Sequence, residues 1–351
     1  MCCRASIPLI TCMPLLLVQG KTALGQSCPE IPDPQPLNSN ADSDSGGDRH
    51  PQVTTDGAGT WVAVWESHEN IGGAIDFDIL VAASTDNGVT WSDPQPLNTN
   101  PDSDVGDEED PQITTDGAGH WIAVWGSNDD LGGSIGTDGD ILVTISANNG
   151  GTWTTPVPLN TNAASDGGYD GHPQVTTDGV GNWIAVWFSW DDLGGTIGND
   201  GDILFARSAD NGVTWTDPAP LNTNAAFDSG SDRAPQVTTD GAGNWIASWF
   251  SWDDLGGTIG TDADILYARS TDAGASWTDP APLNTNAASD SGDDGGGSGH
   301  YRRTGPVGGR VGVSRRPRRH HRHGRRHPVF PQHEQRRCLD LPGPAQHQRR
   351  L

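Results

Sequence analysis

The run Pro-Gln-(Val/Ile)-Thr-Thr-Asp-Gly begins at Pro51, Pro111, Pro173 and Pro235, at spacings of 60, 62 and 62 residues. A period of that length constrains the fold before any single motif does. Each copy must be one supersecondary unit that buries its apolar faces against its neighbours. Within each copy the same events recur in order. A Gly-x-Gly turn leads to an aromatic run that opens at Trp61, Trp121, Trp183 or Trp245. An acidic, Gly-rich loop follows, and Asp-Ile-Leu then starts at Asp78, Asp140, Asp202 or Asp264. A tight turn reaches Trp91, Trp153, Trp215 or Trp277, and the unit closes on Pro-Leu-Asn.

The apolar runs are short, rich in Trp, Val and Ile, and bounded by Gly, Asp, Asn and Pro, which reads as strands. Each unit offers four, in consensus PQVTT, xWIAVW, DILxAxS and TWTDPxPLN. The expectation is an all-β chain: a β-propeller of four-stranded antiparallel blades, with four intact blades over residues 51–98, 111–160, 173–222 and 235–284 in an incomplete ring. A β-solenoid is the alternative, but its repeats are usually shorter and its strands parallel. Asp33-Pro34-Gln35-Pro36-Leu37-Asn38 repeats the fourth-strand pattern of Asp93-Pro94-Gln95-Pro96-Leu97-Asn98. Residues 31–38 therefore read as a lone outer strand of the closing kind, and the blade region as 31–294.

Composition alone points elsewhere. Leu, Ile, Val and Phe supply only 62 of 351 residues and the net charge is −26, values typical of disordered chains. The 14 Trp residues and the periodic order of the chain overrule that count. The charge is also divided. Residues 1–300 carry a net −38, and residues 301–351 a net +12. So acidic a body excludes nucleic acid as its partner.

The turn between the third and fourth strands reads Ser-x-Asp-x-Gly-x-Thr-Trp. It occurs as Ser84, Asp86, Gly88, Thr90, Trp91 and as Ser208, Asp210, Gly212, Thr214, Trp215. Variants are Ser146, Asn148, Gly150, Thr152, Trp153 and Ser270, Asp272, Gly274, Ser276, Trp277. An Asp or Asn side chain accepts backbone N–H bonds in a tight turn, Gly permits positive φ, and Trp packs between sheets. This pattern resembles the Asp-box, or bacterial neuraminidase repeat, of sialidase-like β-propellers, and the resemblance covers residues 31–294. It implies the fold far more than an activity, because such propellers include enzymes on different glycans and proteins that are not enzymes.

For sialidases the resemblance implies three Arg around the substrate carboxylate, a Tyr–Glu nucleophile pair, an Asp acid/base and an Arg-Ile-Pro-like motif. Residues 26–300 contain only Arg49, Arg207, Arg233 and Arg269, and no Arg-Ile-Pro. Arg207 and Arg269 sit just before the Asp-box Ser, away from the expected site. Only Arg49 and Arg233 stand where a first strand begins, and Tyr169 is the single loop Tyr before residue 300. No catalytic residue is assignable.

The loops between strands two and three, and between the fourth strand and the next unit, share one face and hold nearly all the acid. Ca²⁺ takes six to eight oxygen ligands, and Asp-x-Asp beside Gly-rich backbone can supply them. The candidates are Asp138 and Asp140, Asp200 and Asp202, Asp262 and Asp264. The alternatives are a solvated acidic surface, or a structural role in which Asp78, Asp140, Asp202 and Asp264 hydrogen-bond the long loop. A paired-carboxylate glycosidase would also fit, though no pair stands out among so many acids. Calcium is the one cofactor suggested. The expected function is a non-catalytic module that binds glycan or a cell surface; an exo-α-sialidase-type hydrolase and a purely structural extracellular module are the other readings. Oligomeric state is left open.

Residues 1–25 read as a secretory leader, with Arg4, an apolar run over 7–18 too short to span a bilayer, and Ala23-Leu24-Gly25 at the cleavage position. Export and no membrane span are the expectation. Cys28 is then the only thiol before residue 300, so neither a disulfide framework nor a Cys-based metal site is available. Residues 299–351 lose every repeat feature and turn to Arg, His, Gln and Pro. The genetic code permits GGT CAC TAC CGA CGG for Gly299-His300-Tyr301-Arg302-Arg303, and this choice of codons, read from the second base, would give Val-Thr-Thr-Asp-Gly, 62 residues after Val237. With codons chosen in the same way and in the same frame, residues 332–336 would give Ser-Thr-Asn-Asn-Gly and residues 345–351 Leu-Asn-Thr-Asn-Ala-Ala, each 62 after its counterpart. The tail reads as a disordered translation of a shifted frame that began between 293 and 299 and replaced a fifth blade.

Overall fold

The structure is a computed structural model that describes residues 35–39, 41, 46–68, 76–98 and 106–294. The leader, residues 31–34 and the basic tail lie outside the described residues. The blades belong to one compact unit, Pro36–Arg302.

Each repeat folds into one four-stranded antiparallel sheet with its strands in chain order. The first blade holds β1 (Asp48–Thr55), β2 (Trp61–Ser67), β3 (Asp78–Ser84) and β4 (Gln95–Pro96). The second holds β5 (Glu108–Thr115), β6 (Trp121–Ser127), β7 (Asp140–Ser146) and β8 (Val157–Pro158). The third holds β9 (Asp170–Thr177), β10 (Trp183–Ser189), β11 (Asp202–Ser208) and β12 (Ala219–Pro220). The fourth holds β13 (Asp232–Thr239), β14 (Trp245–Ser251), β15 (Asp264–Ser270) and β16 (Ala281–Pro282). The first strands of successive blades neighbour one another, β1 with β5, β5 with β9, and β9 with β13. These are propeller blades, each turning its first strand inward.

Two strands depart from the sequence expectation. First strands begin three residues earlier, at Asp48 rather than Pro51. Fourth strands shrink to two residues because Pro94 and Pro96, and their equivalents, have no N–H to donate to a ladder.

Side-chain alternation along the second strand explains how the blades stack. Trp121, Ala123 and Trp125 face back onto Val62 and Val64 of the first blade. Ile122 and Val124 face forward onto Trp183, Ala185 and Trp187 of the third. Ile184 and Val186 then meet Trp245, Ala247 and Trp249. Leu97, Leu159 and Leu221, from the Pro-Leu-Asn closures, enter the same inter-blade cores. Leu37 does likewise against Trp65 and Leu80 of the first blade. Ser39 donates to Asp93 at 2.6 Å just as Thr161 donates to Asp217 at 2.6 Å. Residues 37–39 thus take, on the first blade, the place that a preceding blade's closure takes on its successor.

The Asp-box turns form as their chemistry requires. Ser84 donates to Asp86 Oδ1 at 2.8 Å, and Asp86 accepts from the Thr90 backbone N–H and hydroxyl at 2.8 and 2.6 Å. In the second blade Asn148 does the same work, receiving Ser146 and the Thr152 N–H on Oδ1 and donating Nδ2 to the Thr152 hydroxyl at 2.9 Å. Gly212 has φ +83°, and a Cβ there would collide with Ile122 Cδ1 of the blade before. The box therefore needs Gly twice over, for its backbone and for blade contact. Trp153, Trp215 and Trp277 pack against the inter-blade cores.

Candidate functional site

Loops 2–3 and 4–1 emerge beside the start of each first strand, so one end of the blade stack collects most of the acid. Two arrangements stand there.

The inner one comes from a bulge. Register slips between Arg49 and Gln52, between Glu109 and Gln112, and between Arg233 and Gln236, each just ahead of the repeat's Pro. His50, Asp110, His172 and Ala234 occupy the bulged position with φ of 45°, 53°, 53° and 51°. Bulges re-aim side chains, and these three polar ones meet across blades. His50 Nδ1 lies 2.6 Å from Glu66 Oε1 and 3.1 Å from Asp110 Oδ1. His172 Nδ1 lies 2.5 Å from Asp110 Oδ2. The Asp110 N–H also donates to Glu66 Oε1 at 2.6 Å. Burial pushes the Asp110 carboxyl up, but the His172 hydrogen bond and the charges of His172 and His50 outweigh it and hold the group below its ordinary value. His172 rises correspondingly, chiefly through Asp110. Burial and the charges of Asp110, Glu66 and Asp107 push Glu109 the other way, upward.

Beside this chain lies a pocket of about 240 Å³ lined by Asp110, His172, Gln174, Phe188, Arg233 and Gln236, among others. The Arg233 guanidinium stands 5.5 Å from the Phe188 ring centre and 5.6 Å from that of Trp252. Trp190 meets Phe188 edge-on at 5.7 Å, and Tyr169 lies 6.3 Å from the same ring. Trp190 and Trp252 remain 52% and 41% exposed, unusual for indoles in a chain that buries seven others almost completely. Arg49 covers Phe77 at 4.1 Å. Arg207 and Arg269 pair in register with Ile184 and Ile246 next to the Asp-box Ser, at the opposite end of the strands. Of the four Arg among the described residues, only Arg49 and Arg233 reach this end.

The outer arrangement repeats blade by blade. Asp138, Asp140 and Asp166 each place a carboxylate oxygen within 4.8 Å of the others, and so do Asp200, Asp202 and Asp228. In the last blade the corresponding group is Asp264, Asp290 and Asp294. Asn160, the closing residue of Pro-Leu-Asn, donates to Asp140 Oδ1 at 2.7 Å and to Asp166 Oδ2 at 3.4 Å while its own Oδ1 receives the Ile141 N–H. Asn222 repeats this on Asp202 with Asp228, and Asn284 makes the same two donations to Asp264 and Asp290 while its own Oδ1 has no partner. Asp140, Asp202 and Asp264 are wholly buried. Burial, together with the neighbouring carboxylates Asp166 and Asp138, pushes Asp140 up to about 7, and Asp202 rises to about 7 for the same reasons. Asp166 and Asp228 rise to about 6.

The structure thus brings together the sequence candidates Asp138 with Asp140 and Asp200 with Asp202. In the last blade Asp264 groups with Asp294, while Asp262 keeps a buried oxygen without a partner. Sequence reading missed the third carboxylate, from the loop toward the next blade. Its signal was present: Asp166, Asp228 and Asp290 each follow the closing Asn by six residues. Asp104 stands six after Asn98, outside the described residues. The sequence also missed His50, Asp110 and His172, which differ from copy to copy.

Four antiparallel four-stranded blades, each carrying an Asp-box turn between its third and fourth strands, define an Asp-box β-propeller. No protein-family model matches the sequence, and no curated protein does. Among solved structures, the Hadza microbial sialidase Hz136 is similar with 17% identity and a TM-score of 0.45, covering 66% of this chain and 46% of that one. An α-L-arabinanase of Penicillium chrysogenum is 17% identical with a TM-score of 0.46, covering 66% of each chain. A leech intramolecular trans-sialidase is 12% identical with a TM-score of 0.47, covering 72% of this chain and 53% of that one. The chain spans from about half to two thirds of the length of these proteins. Identities this low carry nothing about chemistry.

Proposed function

We propose that the chain is an exported, sialidase-like Asp-box propeller module that binds a neutral or cationic glycan, without cleaving it, at the inner end of its blades. The pocket beside Arg233 carries this reading. It combines the Phe188 ring, the amides of Gln174 and Gln236 and the Asp110–His172 pair, and the Arg233 guanidinium that lines it stands 5.6 Å from the Trp252 ring centre. Aromatic faces for sugar C–H groups, with a few fixed polar groups to orient hydroxyls, are what a carbohydrate site requires. About 240 Å³ is small beside the 300–1,000 Å³ of sites for drug-sized ligands, which favours a terminal sugar. The net −38 over residues 1–300 disfavours sialic acid and other anionic glycans.

A glycan array on the full chain, followed by calorimetry with the strongest neutral ligand, tests the reading. Trp252→Ala is expected to weaken binding roughly ten-fold, equivalent to about 1.4 kcal/mol. A chain that binds no glycan, or whose binding ignores Trp252 and Arg233, refutes it.

A hydrolytic reading rests on one observation. Glu109 is pushed above its ordinary pKa while the adjacent Asp110 is held below its own, a divergence in the direction that separates acid from base in glycosidases. Turnover of a fluorogenic sialoside or arabinoside, abolished by Glu109→Gln, would replace the binding role with catalysis.

A further inference from the structure

We propose that the three carboxylate cages of the second, third and fourth blades are Ca²⁺ sites, each holding one ion that ties loop 2–3 of its blade to the segment leading onward. The proposal stands independently of the glycan reading.

The observation behind it is what remains after every hydrogen bond has been assigned. Asn160 satisfies one oxygen each of Asp140 and Asp166. Asp138 Oδ2, Asp140 Oδ2 and Asp166 Oδ1 are left buried without a partner. In the next blade the orphans are Asp200 Oδ2, Asp202 Oδ2 and Asp228 Oδ1, and in the last Asp262 Oδ2, Asp264 Oδ2 and Asp290 Oδ1. Asn162 Oδ1 and Asn224 Oδ1, from the same loops, are buried and unpartnered too. An unsatisfied buried polar atom is costly, and a buried charge more so. Nine such carboxylate oxygens at equivalent places in three repeats are a designed feature of the unit.

The geometry suits one ion. Ligands across a Ca²⁺ stand at most about 5 Å apart, twice its Ca–O distance. One carboxylate oxygen from each of Asp138, Asp140 and Asp166, and from each of Asp200, Asp202 and Asp228, lies within 4.8 Å of the others, and in the last blade Asp264, Asp290 and Asp294 form the group of that size. The donors are oxygen only, with no His or thiolate, which selects a hard cation. They come from irregular loops, which tolerate the variable coordination of Ca²⁺ better than the strict octahedron of Mg²⁺.

The inner group of His50, Glu66 and Asp110 offers the contrast. Its atoms are equally close, but they are spent on one another, His50 on both carboxylates and Asp110 on His172. It is an ion-pair chain, and the outer cages are sites.

Calorimetric titration of the EDTA-stripped full chain with CaCl₂ at neutral pH tests this. The native chain is expected to take up at least three equivalents. Asp140→Asn, Asp202→Asn and Asp264→Asn keep side-chain size and are each expected to remove one equivalent; the triple variant loses three. Circular dichroism confirms that each variant is folded. Should a variant not fold, the native chain's melting temperature still decides: it is expected to rise by several degrees with Ca²⁺ and fall on EDTA. No uptake at millimolar Ca²⁺, a stoichiometry indifferent to the substitutions, or equal binding of Mg²⁺ overturns the proposal. So does a melting temperature that rises on acidification and ignores Ca²⁺, because the cages would then be neutralised by protons.

Discussion

Ile122, Ile184 and Ile246 occupy one position of the repeat, yet only two of them are covered. Ile122 and Ile184 are fully buried against the blade that follows, and Ile246 is 47% exposed. Replacing Ile with Ala removes three carbons. At Ile184 the lost transfer energy is about 2.4 kcal/mol at 0.8 per carbon. The cavity left against Gly274 and Trp245 adds about 1 kcal/mol or more, for a total near 3–4 kcal/mol. At Ile246 about half the transfer energy is at stake and no enclosed cavity forms, so the cost is about 1 kcal/mol. The expected difference between Ile184→Ala and Ile246→Ala is therefore about 2–3 kcal/mol. Urea unfolding followed by Trp fluorescence measures it. At an m value near the top of the usual range of about 1–3 kcal/mol/M, it separates the midpoints by about 1 M. The comparison requires equal m values, since repeat proteins can unfold in stages. Equal losses from Ile184→Ala and Ile246→Ala would refute the reasoning and show the outer face of the fourth blade to be covered in solution.

Gly212→Ala combines a collision with Ile122 and a left-handed backbone, and is expected to cost about 2–5 kcal/mol; Gly257→Ala, at φ +81° with open space around it, should cost only about 1–2 kcal/mol in thermal or chemical unfolding. Hydrogen bonds from the Thr90 and Ser276 side chains hold Asp86 and Asp272 down to about 2. Their stabilising contribution is therefore complete above about pH 4, the unfolded value, and is lost as pH falls through 2. Asp86→Asn and Asp272→Asn imitate Asn148, so their melting temperatures should match the native protein at neutral pH and fall less steeply between pH 4 and 2; an unchanged acid slope refutes this. Resequencing the gene across codons 293–299 is expected to restore the repeat in one frame, and peptides of residues 301–351 recovered from the native protein would exclude the shift.

What could be read from the sequence was whatever repeats. Strand number, strand order and the Asp-box hydrogen bonds follow from residue types that recur at fixed offsets, such as Ser84, Asp86 and Gly88. Less legible was the point where pairing stops. Pro94 and Pro96 leave the fourth strand only two paired residues, although its Trp and Leu still enter the core. The acidic Asp-x-Asp pairs were visible, but a cage is closed by a residue some two dozen positions on, and only the fold brings Asp166 to Asp140. The inner chain was invisible for a different reason. A bulge before the repeat's Pro turns His50, Asp110 and His172 toward one another, and no local pattern announces which way a bulged side chain faces.

That difference separates two kinds of chemistry within one repeat. A role that every blade must perform leaves the same residue in every copy. Asp78, Asp140, Asp202 and Asp264 are such a set, as are the Asn residues that close each unit. Their shared property, a buried oxygen held by Asn with others left over, belongs to the construction of the blade, and an ion there would act as a cross-link. A role performed once per molecule leaves different residues in equivalent places. The bulged position runs His50, Asp110, His172, Ala234, and the position before it Arg49, Glu109, Gly171, Arg233. The eight residues are packed on nearly identical blades, so their differences do not arise from the fold. They build one asymmetric surface out of a symmetric frame, with cation, carboxylate and imidazole at fixed separations. Recognition of an asymmetric ligand such as a sugar needs an asymmetric surface of this kind. The proposed ions, by the same logic, should stiffen the second, third and fourth blades alike and leave ligand preference to the inner rim.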